Sequence, residues 1–476
     1  MERINRTKIL GVKIDFWIIV FIFLLFSTLY SLLAVIRHNH FQSQGIDFSI
    51  YDQALWLYSK FEYPFSTITN LPDLADRFRP IMLLLSTLYW FTENERILLL
   101  FQATILSSAV FPIWLIARRC LPRILAIVIA FLYIDFIGIQ ATAVYDFHEM
   151  SLLPFLLAWL FYFLQKERWI CYFFFLFLGL AVREHVGFLL STLGIYIWLV
   201  KRSWKMAFAT VVISFTWSIL AIKIFMPALG QNDYSSFVQE NESLESALIG
   251  YLTNPQSIVS NFFLPILKTQ TLIWSLVSFG LVPIIYMPLM PASLFQFATR
   301  FLDQLHPVRW TLFFHYSAEL AVVLAVATIF GCVIILQKFR SIKYIALIFA
   351  MLLMFAHIGT NLLLDSPLKN LLKPQFYKHQ SWMDNTRLVL AQVPKNTSVA
   401  SQNNLLPHLS HRKEVYLLPN VNNAEYVIVD LHPGQNAWDF YNQGLEGTKS
   451  ILVQLVKSNS YKVVVSSGDV YLLKKF

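Results

Sequence analysis

Residues 16–52 read FWIIVFIFLLFSTLYSLLAVIRHNHFQSQGIDFSIYD, and the reading of this stretch decides the fold. Its first part, Phe16–Ile36, carries no charge over the length, about 20 residues, that a helix needs to cross a bilayer. Its second part turns polar at once, with Gly45-Ile46-Asp47-Phe48-Ser49-Ile50-Tyr51-Asp52 following closely. Ionisable groups beside hydrocarbon are costly to keep, so carboxylates at this end of a span point to polar chemistry there. Two readings of Asp47 stay open. Its carboxylate can take a proton from a hydroxyl or hold a divalent cation. Alternatively, Asp47 or Ser49 caps the amphipathic helix that follows. For Asp52, a place on the surface of that helix is the simpler reading.

The pattern recurs along the chain. Hydrophobic residues make up 57% of the sequence and charged residues 14%. The 476 residues could hold two or three soluble domains, but the apolar runs exclude that for most of the length. After Phe16–Ile36 the expected spans are Ile97–Ala117, Ile124–Gln140, Ser151–Leu164, Trp169–Val182, Gly187–Val200, Ala207–Met226, Leu272–Met287, Ala318–Leu336 and Tyr344–Leu364. Ile81–Phe91 is apolar but short, a half-span or an interfacial helix, and the whole predicts roughly nine to twelve crossings.

The net charge of +9 does not mark a nucleic-acid binder, because no soluble module carries a basic face interleaved with aromatics. The cations sit instead in alternate connections: Arg3, Arg6, Lys8 and Lys13; Arg118, Arg119 and Arg123; Lys166 and Arg168; Lys201, Arg202 and Lys205; Lys338, Arg340 and Lys343. This positive-inside distribution predicts that these segments and the N-terminus are cytoplasmic. The first span follows a basic segment without a small-residue cleavage site and reads as an uncleaved anchor. The three cysteines, Cys120, Cys171 and Cys332, suggest neither a disulfide framework nor a structural zinc site.

With the basic loops inside, residues 37–96 and 227–271 form large external loops. The second is polar at Gln231–Glu245, with an apolar, Pro-containing stretch at Ile258–Leu267 along the interface. Pro283, Pro288 and Pro291 interrupt the helical pattern, Ser293–Leu302 reads as a short return span, and His306–Tyr316 is expected outside. Residues 1–364 thus form a multi-span α-helical membrane domain and 365–476 a small soluble α/β domain, expected to be extracytoplasmic. In the latter, Val399–Ser401, Glu414–Leu418 and Tyr426–Asp430 read as strands and Thr448–Lys457 as a helix. Tyr461–Lys474 reads as a hairpin turning at Ser467-Gly468-Asp469.

Ionisable residues gather at the predicted external span ends. Arg77 and Arg79 precede the second apolar stretch, where paired guanidinium donors can clamp phosphate oxygens or snorkel to headgroups. Asp146, His148 and Glu149 could coordinate a metal, although the spacing is a weak metal signal; otherwise Asp146 caps a helix. Arg183, Glu184 and His185 lie between two apolar runs with almost no loop. They form either a local ion pair or a site with Arg183 on a lipid phosphate and Glu184 or His185 beside the reacting groups. Arg300, His306, Arg309, His315 and Glu319 add charge from a distant segment. No P-loop, dinucleotide fingerprint, zinc-protease or nucleophile-elbow motif occurs.

Taken together, several segments resemble the bacterial integral-membrane family called domain of unknown function 2079. They are Asp47-Phe48-Ser49-Ile50-Tyr51-Asp52-Gln53-Ala54-Leu55-Trp56, Tyr145-Asp146-Phe147-His148-Glu149, Val182-Arg183-Glu184-His185-Val186, His315-Tyr316-Ser317-Ala318-Glu319-Leu320 and the stretch from Leu406 to Pro419. The chain departs from the family's usual residues at Arg77 and His185. The family resembles in turn the GT-C class of membrane glycosyltransferases. That resemblance implies a bacterial inner-membrane protein, a polyprenyl-phosphate sugar as donor, a glycan, lipid or protein acceptor, and catalysis at the external face.

On this reading Asp47 is the general base or metal ligand, with Glu184 as its substitute. Arg183, Arg77 and Arg79 hold the donor phosphate. Asp146, His148, Glu149 and His185 orient the acceptor or complete a magnesium or manganese site, with Asp52, His315 and Glu319 nearby. Two rivals are a transporter or lipid flippase, which needs charges near the midplane, and a non-catalytic assembly protein.

Overall fold

The computed structural model describes residues 2–231, 253–441 and 443–476. The polar stretch Gln231–Glu245 lies, beyond Gln231, outside the described residues. The first helix, Glu2–Asn39, contains a 27-residue apolar span, Lys13–Asn39. Ile19, Ile22, Phe26, Tyr30 and Leu33 are buried along one stripe at helical spacing, while Trp17, Phe21, Leu24, Leu25 and Leu32 are exposed. A continuous exposed apolar face of this kind needs lipid as its solvent.

Five helices among the described residues are long and apolar enough to cross a membrane: Lys13–Asn39, Arg96–Cys120, Trp204–Ala228, His315–Lys338 and Ile345–Leu363. The pair Arg123–Ile134 and Ile137–Val144, bent by 42°, makes a sixth if taken as one span. The expected spans at Ser151–Leu164, Trp169–Val182 and Gly187–Val200 are shorter helices, Leu153–Gln165, Trp169–Leu180 and Val186–Lys201. At 12 residues, Trp169–Leu180 reaches only about 18 Å of a hydrocarbon core about 30 Å thick.

Two expected spans are broken, each for an identifiable reason. Ile124–Gln140 bends at Asp135, whose backbone carbonyl accepts from the Gln140 amide and whose carboxylate meets His357 and Asn361. Leu272–Met287 stops at Val277 because Gly280 and Leu281 adopt left-handed backbone (φ +62° and +60°) just before Pro283. The helix Ala318–Lys338 runs through the middle of the bundle, with Leu320–Ile329 buried without interruption.

Beyond the membrane helices, a two-stranded hairpin, β1 (Phe65–Ser66) and β2 (Leu71–Pro72), lies in the first polar loop. The C-terminal region holds a five-stranded sheet of β3 (Val399–Ser401), β4 (Val415–Leu417), β5 (Tyr426–Asp430), β6 (Tyr461–Ser467) and β7 (Val470–Lys475). The spatial order is β4-β3-β5-β7-β6, with β3 parallel to both neighbours and β7 antiparallel to both of its own. Alternation divides the sheet. Ala400, Val427, Val429 and Leu473 face the helix Gly444–Lys457. Val399, Leu417, Ile428 and Leu472 share the other core with Met383 and Val389 of the helix Ser381–Leu390, and with Phe41 from the end of the first span.

Candidate active site

Asp47 lies in a wide π-type turn, Gly45–Ser49, which leads into the helix Ile50–Ser59. Ser49 makes no capping bond to that helix. The turn is fixed from two sides. Gly45 N–H donates to Asn403 O at 2.7 Å and Ile46 N–H to Asn403 Oδ1 at 2.9 Å, both in the C-terminal region. Gln44 N–H donates to Asp146 Oδ2 at 2.8 Å. A Cβ on Gly45 would lie 2.7 Å from the Leu406 Cβ, so only glycine permits this approach.

The Asp47 carboxylate is partly exposed to a cavity of about 260 Å³, close to the lower end of small-molecule pockets. Tyr145 donates its hydroxyl to Asp47 Oδ2 at 2.7 Å, and His148 Nε2 lies 3.6 Å from Oδ1. Burial alone would raise the Asp47 pKa, but His148, the Tyr145 hydroxyl and Arg37 bring it below the ordinary carboxylate value. For His148, burial would lower the pKa and the Asp47 carboxylate reverses the sign, so the imidazole is held above its usual value. Its Nδ1 faces Asp146 O at 3.0 Å and so carries a proton. The His148 ring stacks on His315 at 3.9 Å, and Tyr145 and Tyr316 flank His315 at 4.8 and 4.0 Å.

The other predicted residues separate by what they touch. Arg183, Arg77, Arg79, Glu184, His185, His315 and Glu319 line the same cavity as Asp47 and His148. Asp146 and Glu149 stand behind it. Asp146 pairs with Arg37 at 2.8 Å, and Glu149 lies between Arg183 (3.4 Å) and Arg79 (3.9 Å). Asp52 is apart from the cavity, buried against the Tyr89 hydroxyl and His411. Glu184 Oε2 accepts Phe78 N–H at 3.0 Å and thereby ties the break between two short helices to the Arg77–Arg79 loop. Burial would raise its pKa, but His185 and Arg183 hold it well below the carboxylate range.

The three arginines are unequal. The Arg79 side chain is 1% exposed and locked on Asp73, with Nε at 2.9 Å and a terminal nitrogen at 2.5 Å. Arg183 and Arg77 are 18% and 27% exposed. Arg183 Nε is buried, 3.7 Å from Glu184 Oε1 and without a hydrogen-bond acceptor among the described residues. Arg300, in contrast, is spent on Arg309 O, Thr311 O and Ser317 Oγ, and shapes the loop before the Ala318–Lys338 helix.

Several contributors were not picked out from sequence. The Gln102 amide donates to Thr142, Tyr145 and Asp146 carbonyls and accepts His148 N–H, which fixes the extended Tyr145–His148 segment. A lone glutamine in an apolar helix was its only signal. Arg37 stands at the opposite end of its span from the basic cluster, which was the signal for it.

Among the described residues the carboxylates do not gather as a hard-cation site. Asp146 and Glu149 face arginines, and Asp47 faces an imidazole and a phenol. Magnesium and manganese prefer several oxygens, and this donor set does not fit them.

The fold class is shared with solved membrane proteins. The structure of ArnT from Cupriavidus metallidurans bound to undecaprenyl phosphate is similar over 95% of this chain and 97% of that one, at 10% identity and a TM-score of 0.51. An oligosaccharyltransferase from Archaeoglobus fulgidus, tethered to an acceptor peptide, is similar over 93% and 72%, at 13% identity and a TM-score of 0.46. No curated protein matches the chain. The fold is GT-C-like: a membrane helical bundle followed by a small C-terminal sheet region. The chain itself belongs to the family described as predicted membrane protein (DUF2079), whose model matches residues 37–468.

Proposed function

We propose that this protein is a membrane glycosyltransferase that moves a sugar from a polyprenyl-phosphate donor to a glycan, lipid or protein acceptor at the extracytoplasmic face. The observation that carries the reading is one cavity in which a partly exposed carboxylate, Asp47, shares the walls with two reachable guanidinium groups, Arg183 and Arg77. Asp47 takes the acceptor proton as the bond from acceptor to sugar carbon forms. The bond from that carbon to the phosphate oxygen breaks, and Arg183 and Arg77 stabilise the phosphate that leaves. The exposed part of the Arg183 guanidinium is what a phosphate oxygen can reach, while its buried Nε faces Glu184 at 3.7 Å. Glu149, itself flanked by Arg79, holds Arg183 from behind, Glu184 holds the Arg77 loop, and the His148–His315–Tyr316 rings offer a flat wall for a sugar face. No step is routed through magnesium or manganese.

Charge placement supports this orientation. Arg118, Arg119 and Arg123 lie at the end of the bundle where the first span begins, and Arg118 pairs with Asp15. Asp47 and its cavity lie beyond the far end of that span, which the positive-inside rule puts outside.

The test is native mass spectrometry of the detergent-purified protein, wild type and Arg183→Ala. A polyprenyl phosphate, with or without sugar, is expected to co-purify with wild type and to be lost in the variant. A carrier retained equally by both would refute the assignment of Arg183. Failure of wild type to take up added polyprenyl phosphate would favour a transporter of another solute or an assembly protein.

A further inference from the structure

A second polar cluster lies apart from the cavity, where the C-terminal region meets the membrane helices. His38 comes from the last turn of the Glu2–Asn39 helix, Glu95 immediately precedes the Arg96–Ser108 helix, and His408 ends the short turn Leu406–His408 below the sheet. Each offers a ligand atom, and the three atoms lie within 4.8 Å of one another, the only such group of His, Cys, Asp and Glu among the described residues. His38 Nε2 is 3.2 Å from Glu95 Oε1. Its other nitrogen, Nδ1, lies 3.1 Å from Ser43 Oγ, the outer contact that commonly orients a metal-bound imidazole.

Packing alone leaves one feature unexplained. His408 Nε2 is buried without a hydrogen-bond partner, at a typical cost of about 1–3 kcal/mol. Its ring is wedged between His38 (4.4 Å) and Phe41 (4.7 Å), so it cannot turn freely to find one. Two imidazoles and a carboxylate from three segments form a donor set that suits zinc, with a fourth position left for water.

We propose that His38, Glu95 and His408 bind a divalent transition-metal ion of the zinc type, which pins the C-terminal region to the first span and to the Arg96–Ser108 helix. The ion would act on the seam and not on the sugar, so the proposal stands independently of the reading of the cavity.

The experiment uses the full chain in detergent with any affinity tag removed, stripped with chelator, loaded with Zn2+ and desalted. Elemental analysis is expected to find about one zinc per chain, and Zn2+ is expected to raise the thermal unfolding temperature of the stripped protein. His408→Gln should lower the retained zinc about tenfold or more and abolish the thermal shift, while His185→Gln, in the cavity, should retain both. Wild type without stoichiometric zinc overturns the proposal. So does equal retention by His408→Gln, which would put the ion elsewhere. Should His408→Gln fail to fold, Glu95→Gln replaces it, and the wild-type zinc content decides by itself.

Discussion

Asp47 and Asp52 lie on one continuous segment, five positions apart, and the protein uses them in opposite ways. Asp47 keeps part of its carboxylate open to the cavity, on bonds from Tyr145 and beside His148. Asp52 is fully buried, takes the Tyr89 hydroxyl and faces His411, which stacks on Trp56. The same contrast separates Arg183 from Arg79: one partly exposed to the cavity, the other sealed on Asp73. Charge at a span end therefore does not define a site. What separates a site from a brace is whether the charged group keeps bonding capacity that a ligand can use. At the seam, His408 keeps such capacity in its unpartnered Nε2.

The largest expected effect tests the carboxylates. Asp47→Asn preserves shape and the Tyr145 contact but removes the base, and should slow sugar transfer by about 10²–10⁴. Asp52→Asn should leave transfer within about twofold and lower stability by about 1–3 kcal/mol, because its partners stay buried. Both are read as release of polyprenyl phosphate from a panel of polyprenyl-phosphate sugars in proteoliposomes, with membrane extract as acceptor, beside thermal unfolding. Equal losses of transfer in the two variants would erase the distinction.

The arginine pair comes next. Arg183→Lys keeps a positive charge beside Glu149 but loses the fork of donors. It should cost about 10²–10³ in donor turnover at nearly wild-type stability. Arg79→Ala leaves Asp73 buried without its cation and Glu149 with Arg183 alone, and should destabilise the fold by about 3–5 kcal/mol. A stable, inactive Arg79→Ala would move the phosphate site from Arg183 to Arg79.

Gly45 ties the two regions together, since its turn carries Asp47 while its backbone docks on Asn403. Gly45→Ala forces a Cβ against Leu406 and the Asn403 carbonyl, and should cost about 1–3 kcal/mol. Limited proteolysis should then release the C-terminal region faster, with a parallel loss of transfer. Transfer that survives a loosened C-terminal region would show that Asp47 is positioned without it.

How much of this was legible follows from the range of the interactions. The first span, the central Ala318–Lys338 helix and the Tyr461–Lys475 hairpin announce themselves through local periodicity and turn chemistry. The cavity was legible in part, because Asp47, Arg183 and His148 stand out as charges at span ends. The stop after Val277 was not, since it rests on left-handed backbone at Gly280 and Leu281 that apolar composition conceals. The sorting of Arg79 from Arg183 was not either, since it depends on Asp73 and Glu149 arriving from other segments. The Ser381–Leu390 helix escaped because it is short, polar on one face and recognisable only by its packing on the sheet.

The smallest effect is a pH dependence confined to the open region. His148 is held above its unfolded value, so its contribution is complete below about pH 6.5 and is lost as pH rises through the higher folded value. Asp47 is held below its unfolded value, so its contribution is present above about pH 3.9 and is lost only as pH falls through the lower folded value. The pair therefore stabilises most fully between those limits and weakens on the alkaline side. The difference in unfolding free energy between wild type and His148→Gln should be about 1 kcal/mol in that window and shrink as pH rises past neutrality. Asp47→Asn should flatten the difference at every pH. A difference that grows with pH would mean that His148 is buried neutral, and Asp47 would then face the cavity without a cationic partner on its His148 side.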